Sequence, residues 1–245
     1  MNWRFWRAFV PRSLLFAIAL TVLSACGVVE TGPNYRYRLT IEIETPQGLR
    51  TGSSVIAVKC GIVRLSAMGG SGCHARGEAV TVDMPDGQTL FALLRGKDDP
   101  DLANYLASSP VMPRSAKADS HDRDEQWRRR AEFLAQPRQI PRTVKGGPSG
   151  RESVDNYPMM ILFEDNKDPA GVKIVEPDRL ELGFGYPASI NSITVQLTEA
   201  PVTRRLHNKI SWINGSMIKD QSYWQKLPYE SRIAISGLQR GMKGI

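Results

Sequence analysis

Hydrophobic and polar residues alternate most regularly between Tyr35 and Thr45. Tyrosine or an aliphatic residue occupies every odd position from 35 to 43, and arginine, threonine or glutamate occupies the even positions between them. A period of two over this length predicts a β-strand with one face in a core and the other in water. Ser53 to Cys60 follows the turn Pro46-Gln47-Gly48 and is predicted to form a hairpin with this strand.

A second hairpin is predicted around Pro85-Asp86-Gly87, a strong turn sequence. Glu78 to Met84 alternates, with valine or methionine on one side, and Thr89 to Leu94 supplies the returning strand. Residues 35 to 95 are therefore predicted to form four or five antiparallel strands.

The middle of the chain is charged and rich in turn-forming residues. A helix is predicted from Ala118 to Gln136, with Asp119 or Ser120 as its N-cap and Pro137 at its end. Arg138 to Arg151 contains two prolines and three glycines and is predicted to be an exposed loop. Residues 97 to 151 are thus either an insertion into a β domain or a joint between two halves.

Strand character returns after residue 156. Tyr157 to Glu164 is a continuous apolar run, which is typical of a strand buried on both faces. Val172 to Val175 and Leu180 to Phe184 are predicted as short strands, and Ile190 to Thr198 as a longer, alternating one.

These elements favour an α+β or mainly β fold, built as an antiparallel sandwich or partly open barrel. The β domain is predicted to span residues 35–213, with the helical and loop insertion at 97–151. Residues 214–245 are predicted to be a basic C-terminal segment that is partly exposed.

The first 25 residues differ in character from the rest of the chain. Arg4, Arg7 and Arg12 precede Leu14–Ala25, which carries no charge, and the first acidic residue is Glu30. A basic start, a short apolar stretch and small residues at its end are the layout of a secretory signal peptide. The apolar stretch is shorter than the roughly 20 residues that a membrane-spanning helix needs.

The end of this leader, Leu23-Ser24-Ala25-Cys26, resembles the lipobox of bacterial lipoproteins. The resemblance implies that residues 1–25 are removed and that Cys26 becomes the first residue, with lipid on its thiol and on its new amino group. Residues 26–34 would then be a lipidated tether. Gly27, in place of the aspartate that retains lipoproteins in the inner membrane, implies an outer-membrane location facing the periplasm. An ordinary cleaved signal peptide and an uncleaved anchor helix are the alternatives.

Removal of the leader changes the charge of the chain. The whole chain of 245 residues has a formal charge of +7. Without the three leader arginines, 29 basic and 25 acidic residues remain, a net charge of +4. This mild and mixed charge is unlike that of a nucleic-acid-binding protein, so no nucleic-acid partner is expected.

The leader also changes the interpretation of the cysteines. If Cys26 is lipidated, Cys60 and Cys73 remain as an even pair in an oxidising compartment, and a disulfide between them is predicted. A metal site with His74 is the alternative. Zinc sites usually have two ligand pairs spaced by two to four residues, which this sequence lacks, so no metal or other cofactor is expected.

Three further groups of residues are candidates for functional sites. Ser120-His121-Asp122 has the residue types of a catalytic triad, but adjacent helical residues point in different directions. Glu164, Asp165 and Asp168 follow a strand, where acidic residues usually serve the turn. Arg128-Arg129-Arg130 could meet lipid or lipopolysaccharide phosphates, although the neighbouring carboxylates favour a solvated, salt-bridged helix face.

Two hypotheses follow for the function. The first is a lipid-anchored envelope protein whose β domain is a binding or structural module for an envelope protein or cell-wall material. The second is an envelope hydrolase acting on peptidoglycan or peptide, although no catalytic motif is found. Thr45-Pro46-Gln47-Gly48 and Arg50-Thr51-Gly52-Ser53-Ser54 resemble segments of uncharacterised bacterial proteins, and this likeness implies no activity.

Overall fold

The computed structural model describes residues 29–31, 34–63, 71–108, 123–144, 154–214 and 219–240. The predicted signal peptide, the predicted lipidation site Cys26 and the Ser120-His121-Asp122 segment lie outside the described residues. The predicted helix is described from Arg123, and it ends at Phe133.

The described strands are numbered here in chain order. They are Val29–Thr31 (β1), Tyr35–Glu44 (β2), Arg50–Val63 (β3), Ser71–Glu78 (β4), Val80–Asp83 (β5), Thr89–Ala92 (β6), Arg138–Gln139 (β7), Thr143–Val144 (β8), Val154–Asp155 (β9), Met160–Phe163 (β10), Val172–Val175 (β11), Ser189–Leu197 (β12) and Gln239–Arg240 (β13).

The described helices are short. The α-helices are Arg123–Phe133 (α1), Leu180–Phe184 (α2), Gln221–Lys226 (α3) and Tyr229–Leu238 (α4), and 3₁₀ turns occur at Leu102–Asn104, Leu206–Asn208 and Ser211–Asn214. None of the helices in the described ranges combines the length and apolar character needed to cross a membrane.

Most of the strands belong to two antiparallel sheets. In the described residues, the first sheet has the order β13-β4-β3-β2-β12-β7, with β1 pairing beside β3, and the second has the order β11-β10-β6-β5. β2 pairs with β12, and β6 pairs with β10, so strands from both sides of residues 97–151 are neighbours in each sheet. The predicted α+β, mainly β class is confirmed, and the two sheets are consistent with the predicted sandwich.

The predicted strand from Glu78 to Met84 is divided between the two sheets. β4 ends at Glu78 in the first sheet and β5 begins at Val80 in the second, so the chain turns a corner at Ala79. The Ala79 amide donates a hydrogen bond to the Leu238 carbonyl of α4 at 2.8 Å. Strands that change sheets in this way form the corners of orthogonally packed sandwiches.

Two apolar cores lie on opposite faces of the second sheet. Leu90, Met160 and Leu162 face the first sheet, where they pack with Tyr37, Leu39 and other inward residues of β2. Phe91 and Ile161, on the other face, pack with residues 206–213 and with helix α4. We call residues 206–213 and 219–238 the C-terminal layer. Burial on both faces explains the continuous apolar run of β10, as the sequence predicted.

The C-terminal segment from residue 219 onward is part of this second core. Ala234, Ile235 and Leu238 of α4 are buried, and β13 pairs with β4 at the edge of the first sheet. The predicted partial exposure of this segment holds for α3, which has no buried residue, and for the outer side of α4.

Leu180–Phe184 is a helix, and the prediction of a strand there was wrong. Leu180 and Phe184 are both buried and are spaced by four residues, which places them on one face of a helical turn. Gly185 ends the turn with φ +76°, and its amide donates to the Glu181 carbonyl at 2.8 Å. A left-handed residue in this position is a common helix C-terminus.

The prediction of an exposed loop from Arg138 to Arg151 was wrong for its first residues. Arg138 and Gln139 pair with Val195 and Thr194 of β12, and Ile140 is buried. The short strand β7 satisfies the backbone groups at the edge of β12, a contact that local sequence does not signal.

Cys60 and Cys73 lie directly opposite each other on β3 and β4, with their sulfur atoms at disulfide distance, 2.07 Å. The predicted pairing of these two cysteines therefore agrees with the structure. The disulfide links β3 to β4 close to the end of the first sheet where β1 pairs with β3.

Candidate functional site

The first sheet has one face toward the core and one outer face toward solvent. The pairing registers place the even-numbered residues of β2 beside odd-numbered residues of β3 and even-numbered residues of β12. These outward side chains are partly or fully exposed, apart from Val55. The Val55 backbone amide donates to the Thr203 hydroxyl at 2.9 Å, so a segment of the chain runs beside β3 there. We call this outward surface of β2, β3, β4 and β12 the open face.

The open face is basic at the end next to β1. This end carries four cations, Arg36, Arg38, Lys59 and Arg76. Arg36 forms an ion pair with Glu199 at 2.8 Å. The other three have no carboxylate partner among the described residues, and His74 stands beside Lys59. We call Arg38, Lys59 and Arg76 the basic cluster.

The open face is polar in the middle and acidic at the other end. Thr40, Ser53 and Thr194 lie side by side on neighbouring strands. Glu42 then accepts hydrogen bonds from the Asn191 side-chain amide at 3.0 Å and from the Ser192 hydroxyl at 2.8 Å. The charge of this surface therefore changes sign over the length of β2.

A cleft of about 480 Å³ opens at the acidic end of the face. Its lining residues come from the end of β2, from α2 and from the start of β12: Glu44, Thr45, Pro46, Glu181, Pro187, Ala188 and Ser189. Glu44 and Glu181 are both exposed. We call this feature the acidic cleft.

Two turns shape the acidic cleft. The Thr45 hydroxyl donates to the Gly48 carbonyl at 2.7 Å, and Gly48 has φ +97°, which closes the turn after β2. The left-handed Gly185 ends α2 and directs the chain into Pro187, after which Ser189 pairs with Glu44. Two carboxylates thus stand beside two proline rings and an alanine, an arrangement suited to a cationic group with an aliphatic body.

The Tyr186 side chain does not add charge to this region. Burial raises the pKa of the Tyr186 phenol above its ordinary value, and the nearby Asp86 raises it further. The phenol is therefore neutral at physiological pH, and the charge of the acidic cleft comes from Glu44 and Glu181.

The described histidines and the carboxylates after β10 do not meet. His74 lies on β4 of the first sheet, whereas the exposed His207 lies in a 3₁₀ turn of the C-terminal layer. Asp165 and Asp168 accept hydrogen bonds from the backbone amides of Lys167 and Ala170, both at 2.8 Å. These two carboxylates therefore stabilise the turn after β10, as their sequence context suggested. In the described ranges no three His, Cys, Asp or Glu side chains are grouped closely enough to hold a metal ion.

Two arginines of α1 form ion pairs within their own helix. Arg128 pairs with Glu125 and Glu132 at 2.7 Å each, and Arg129 pairs with Glu125 at 2.7 Å. The hydrogen bonds from Arg129 and then Arg128 lower the pKa of the Glu125 carboxyl. The predicted salt-bridged helix face is confirmed for Arg128 and Arg129, whereas the Arg130 guanidinium lies over the Trp127 ring, 5.9 Å from its centroid.

One buried carboxylate was missed by the sequence analysis. Glu78 is 3% exposed, and it accepts hydrogen bonds from the backbone amides of Arg205 and Leu206 at 2.7 and 2.9 Å. The Gln239 side chain donates to its other oxygen at 3.2 Å. Glu78 therefore joins β4 to the C-terminal layer, and its place at the end of an alternating strand gave no sign of this.

Comparison with known proteins adds no family assignment. A scan against models of protein families and searches of curated proteins and of solved structures found no match to this chain.

Proposed function

We propose that this protein is a lipid-anchored bacterial cell-envelope protein that binds a partner through the acidic cleft and the adjoining polar part of the open face. The lipobox residues Leu23 to Cys26 support the anchor. The anchor would hold the domain at the periplasmic side of the outer membrane, as Gly27 suggests. Diacylglycerol on the thiol together with an acyl chain on the amine gives stable attachment, because more than one chain is needed for it.

The observation that carries the binding role is the position of the acidic cleft at the end of an open sheet face. Both faces of the second sheet are occupied by cores, whereas the first sheet presents Thr40, Ser53 and Thr194 to solvent. A broad surface of short polar side chains can hydrogen-bond to a partner with little loss of side-chain entropy. The cleft would hold one side chain that protrudes from the partner.

The charge of the acidic cleft indicates the chemistry of that group. Glu44 and Glu181 favour a lysine or arginine side chain on a partner protein of the envelope, and the proline and alanine walls would contact its aliphatic stem. No specific observation favours the alternative of an envelope hydrolase, since His74, His207 and the carboxylates after β10 lie on separate elements.

Replacement of Glu44 and Glu181 by lysine is expected to reduce partner capture about tenfold, because each exposed carboxylate contributes on the order of 0.7 kcal/mol to such a contact. The measurement is cross-linking in cells, followed by detergent extraction, capture of the protein and quantitative mass spectrometry.

The matched control replaces Glu164 and Glu230 by lysine. Both are exposed and lie away from the acidic cleft. A partner that is lost with the cleft variant and kept with the control supports the proposal. Equal capture by all three proteins would contradict the role of the cleft, capture of wall peptides instead would assign the cleft to the cell wall, and cleavage of wall fragments would favour the hydrolase.

A further inference from the structure

We propose that the basic cluster rests on the anionic phospholipid headgroups of the membrane that holds the lipid anchor. This inference rests on the proposed lipidation of Cys26. In this orientation the basic end of the open face lies toward the membrane, and the acidic cleft lies at the end away from it.

Only a short length of chain separates the proposed anchor from the fold. Cys26 precedes Val29, the first residue of β1, by three positions. Three residues span at most about 10 Å even when fully extended. The end of the sheet that contains β1 is therefore held close to the bilayer, whatever path those residues take.

The basic end of the open face is also the end that β1 adjoins. β1 pairs with residues 61–63 of β3, and Lys59 lies four residues from Val63 on the same strand. At about 3.3 Å per residue this is a distance of about 13 Å. Arg76 on β4 pairs with Ala57, two residues from Lys59, whereas Arg38 on β2 pairs with Val55, four residues from Lys59.

The acidic end of the open face lies far from Lys59. Thr51, which pairs with Glu42, lies eight residues before Lys59 on β3, so the acidic end is about 26 Å from Lys59. This distance is several Debye lengths at physiological ionic strength, where one Debye length is about 8 Å. Headgroup phosphates would thus attract Lys59 and Arg76 first, while Glu42 and Glu44 stay outside their field. Arg38 lies between the two ends, about 13 Å from Glu42 along β2.

The cations of the basic cluster are also free to take part. Lys59 and Arg76 are exposed, and Arg38 is partly exposed, with no carboxylate partner for any of the three in the described ranges. Each cation near an anionic surface contributes about a fivefold gain in binding, so three contribute about a hundredfold. Because the anchor makes docking intramolecular, a weak attraction of this size is enough to orient the domain.

The test measures the reactivity of individual lysines in the mature protein. Purified lipoprotein is reconstituted into vesicles of phosphatidylcholine, or of phosphatidylcholine with roughly 30% phosphatidylglycerol, which supplies the negative surface potential. The outer surface is treated with a membrane-impermeant acetylating reagent, and acetylation is quantified by peptide mass spectrometry. Lys167, an exposed lysine in the turn after β10, is the internal reference.

We expect the acetylation rate of Lys59 to fall about fivefold in the anionic vesicles relative to the neutral ones, while that of Lys167 stays the same. In about 1 M NaCl, where the Debye length is about 3 Å, the difference should disappear. Arg38→Gln with Arg76→Gln should weaken the protection of Lys59, because one of the three cations remains. The matched control, Lys219→Gln with Lys226→Gln, should leave it intact, because both lysines belong to the C-terminal layer.

Two failures can be told apart. If the protein carries no acyl mass or does not float with vesicles in high salt, the proposed anchoring is wrong, and docking falls with it. If the protein is acylated and floats but Lys59 reacts equally in both vesicles, the anchoring stands and the docking of the basic cluster is overturned.

Discussion

Gly52→Ala is expected to lower the free energy of unfolding by about 3 kcal/mol, the upper part of the usual range for overpacking. A Cβ atom at Gly52 would lie 2.1 Å from the Thr81 carbonyl oxygen and 2.8 Å from the Thr81 carbonyl carbon. Both atoms belong to the backbone of β5, so a side-chain rotation cannot relieve the contact. β3 and β5 would have to move apart at the corner where the chain passes between the sheets.

The measurement is urea unfolding of the variant and of the wild type, with the midpoint and the slope compared. Gly61→Ala is the matched control, because it lies on the same strand and a Cβ there meets no atom within 4 Å. This control is expected to stay within about 0.5 kcal/mol of the wild type. Equal stability of the two alanine variants would show that β3 and β5 are not in close contact at this corner.

Glu78→Ala is expected to cost about 3 kcal/mol or more. The substitution leaves the Arg205 and Leu206 amides without their acceptor, and an unsatisfied buried donor costs about 1–3 kcal/mol. Loss of the contact with Gln239 would also weaken the pairing of β13 with β4. The second core should therefore loosen before the first.

Hydrogen exchange of α4 and of β2, together with chemical unfolding, checks this prediction. Glu164→Ala is the control, because Glu164 is exposed and its side chain makes no hydrogen bond in the described structure. Faster exchange in α4 than in β2 is the expected pattern for Glu78→Ala. A Glu78→Ala protein as stable as the control would mean that this carboxylate is not a link between β4 and the C-terminal layer.

The parts of the fold that were predicted from sequence have a local pattern. Tyr35 to Glu44 alternates because one face of β2 meets a core and the other meets water. Met160 to Phe163 is apolar throughout because cores lie on both sides of β10. In both strands the order of apolar and polar residues along the sequence indicates which side chains are buried.

The parts that were missed depend on contacts between distant residues. Nothing near Gly52 indicates the approach of Thr81, and nothing near Arg138 indicates the edge of β12. Leu180–Phe184 is too short for a pattern of two to be told from one of 3.6 without knowledge of the surface on which it packs.

The acidic cleft could not be predicted for the same reason. Glu44 and Ser189 are neighbours only because β2 pairs with β12, and Glu181 joins them through the turn at Gly185. The basic cluster similarly combines residues of three strands. The sequence predicts an anchor and an outward face, and the pairing registers show which end of that face adjoins β1.

The most direct test of the central claim, that the domain is held at a membrane by a lipid on Cys26, is labelling of growing cells with radioactive palmitate. The wild-type chain is predicted to incorporate label, and its mature amino-terminal peptide is predicted to begin at Cys26 with acyl groups attached. Cys26→Ser is predicted to carry no label. Label of equal intensity in the Cys26→Ser protein, or a wild-type amino terminus with a free Cys26 thiol, would contradict the account.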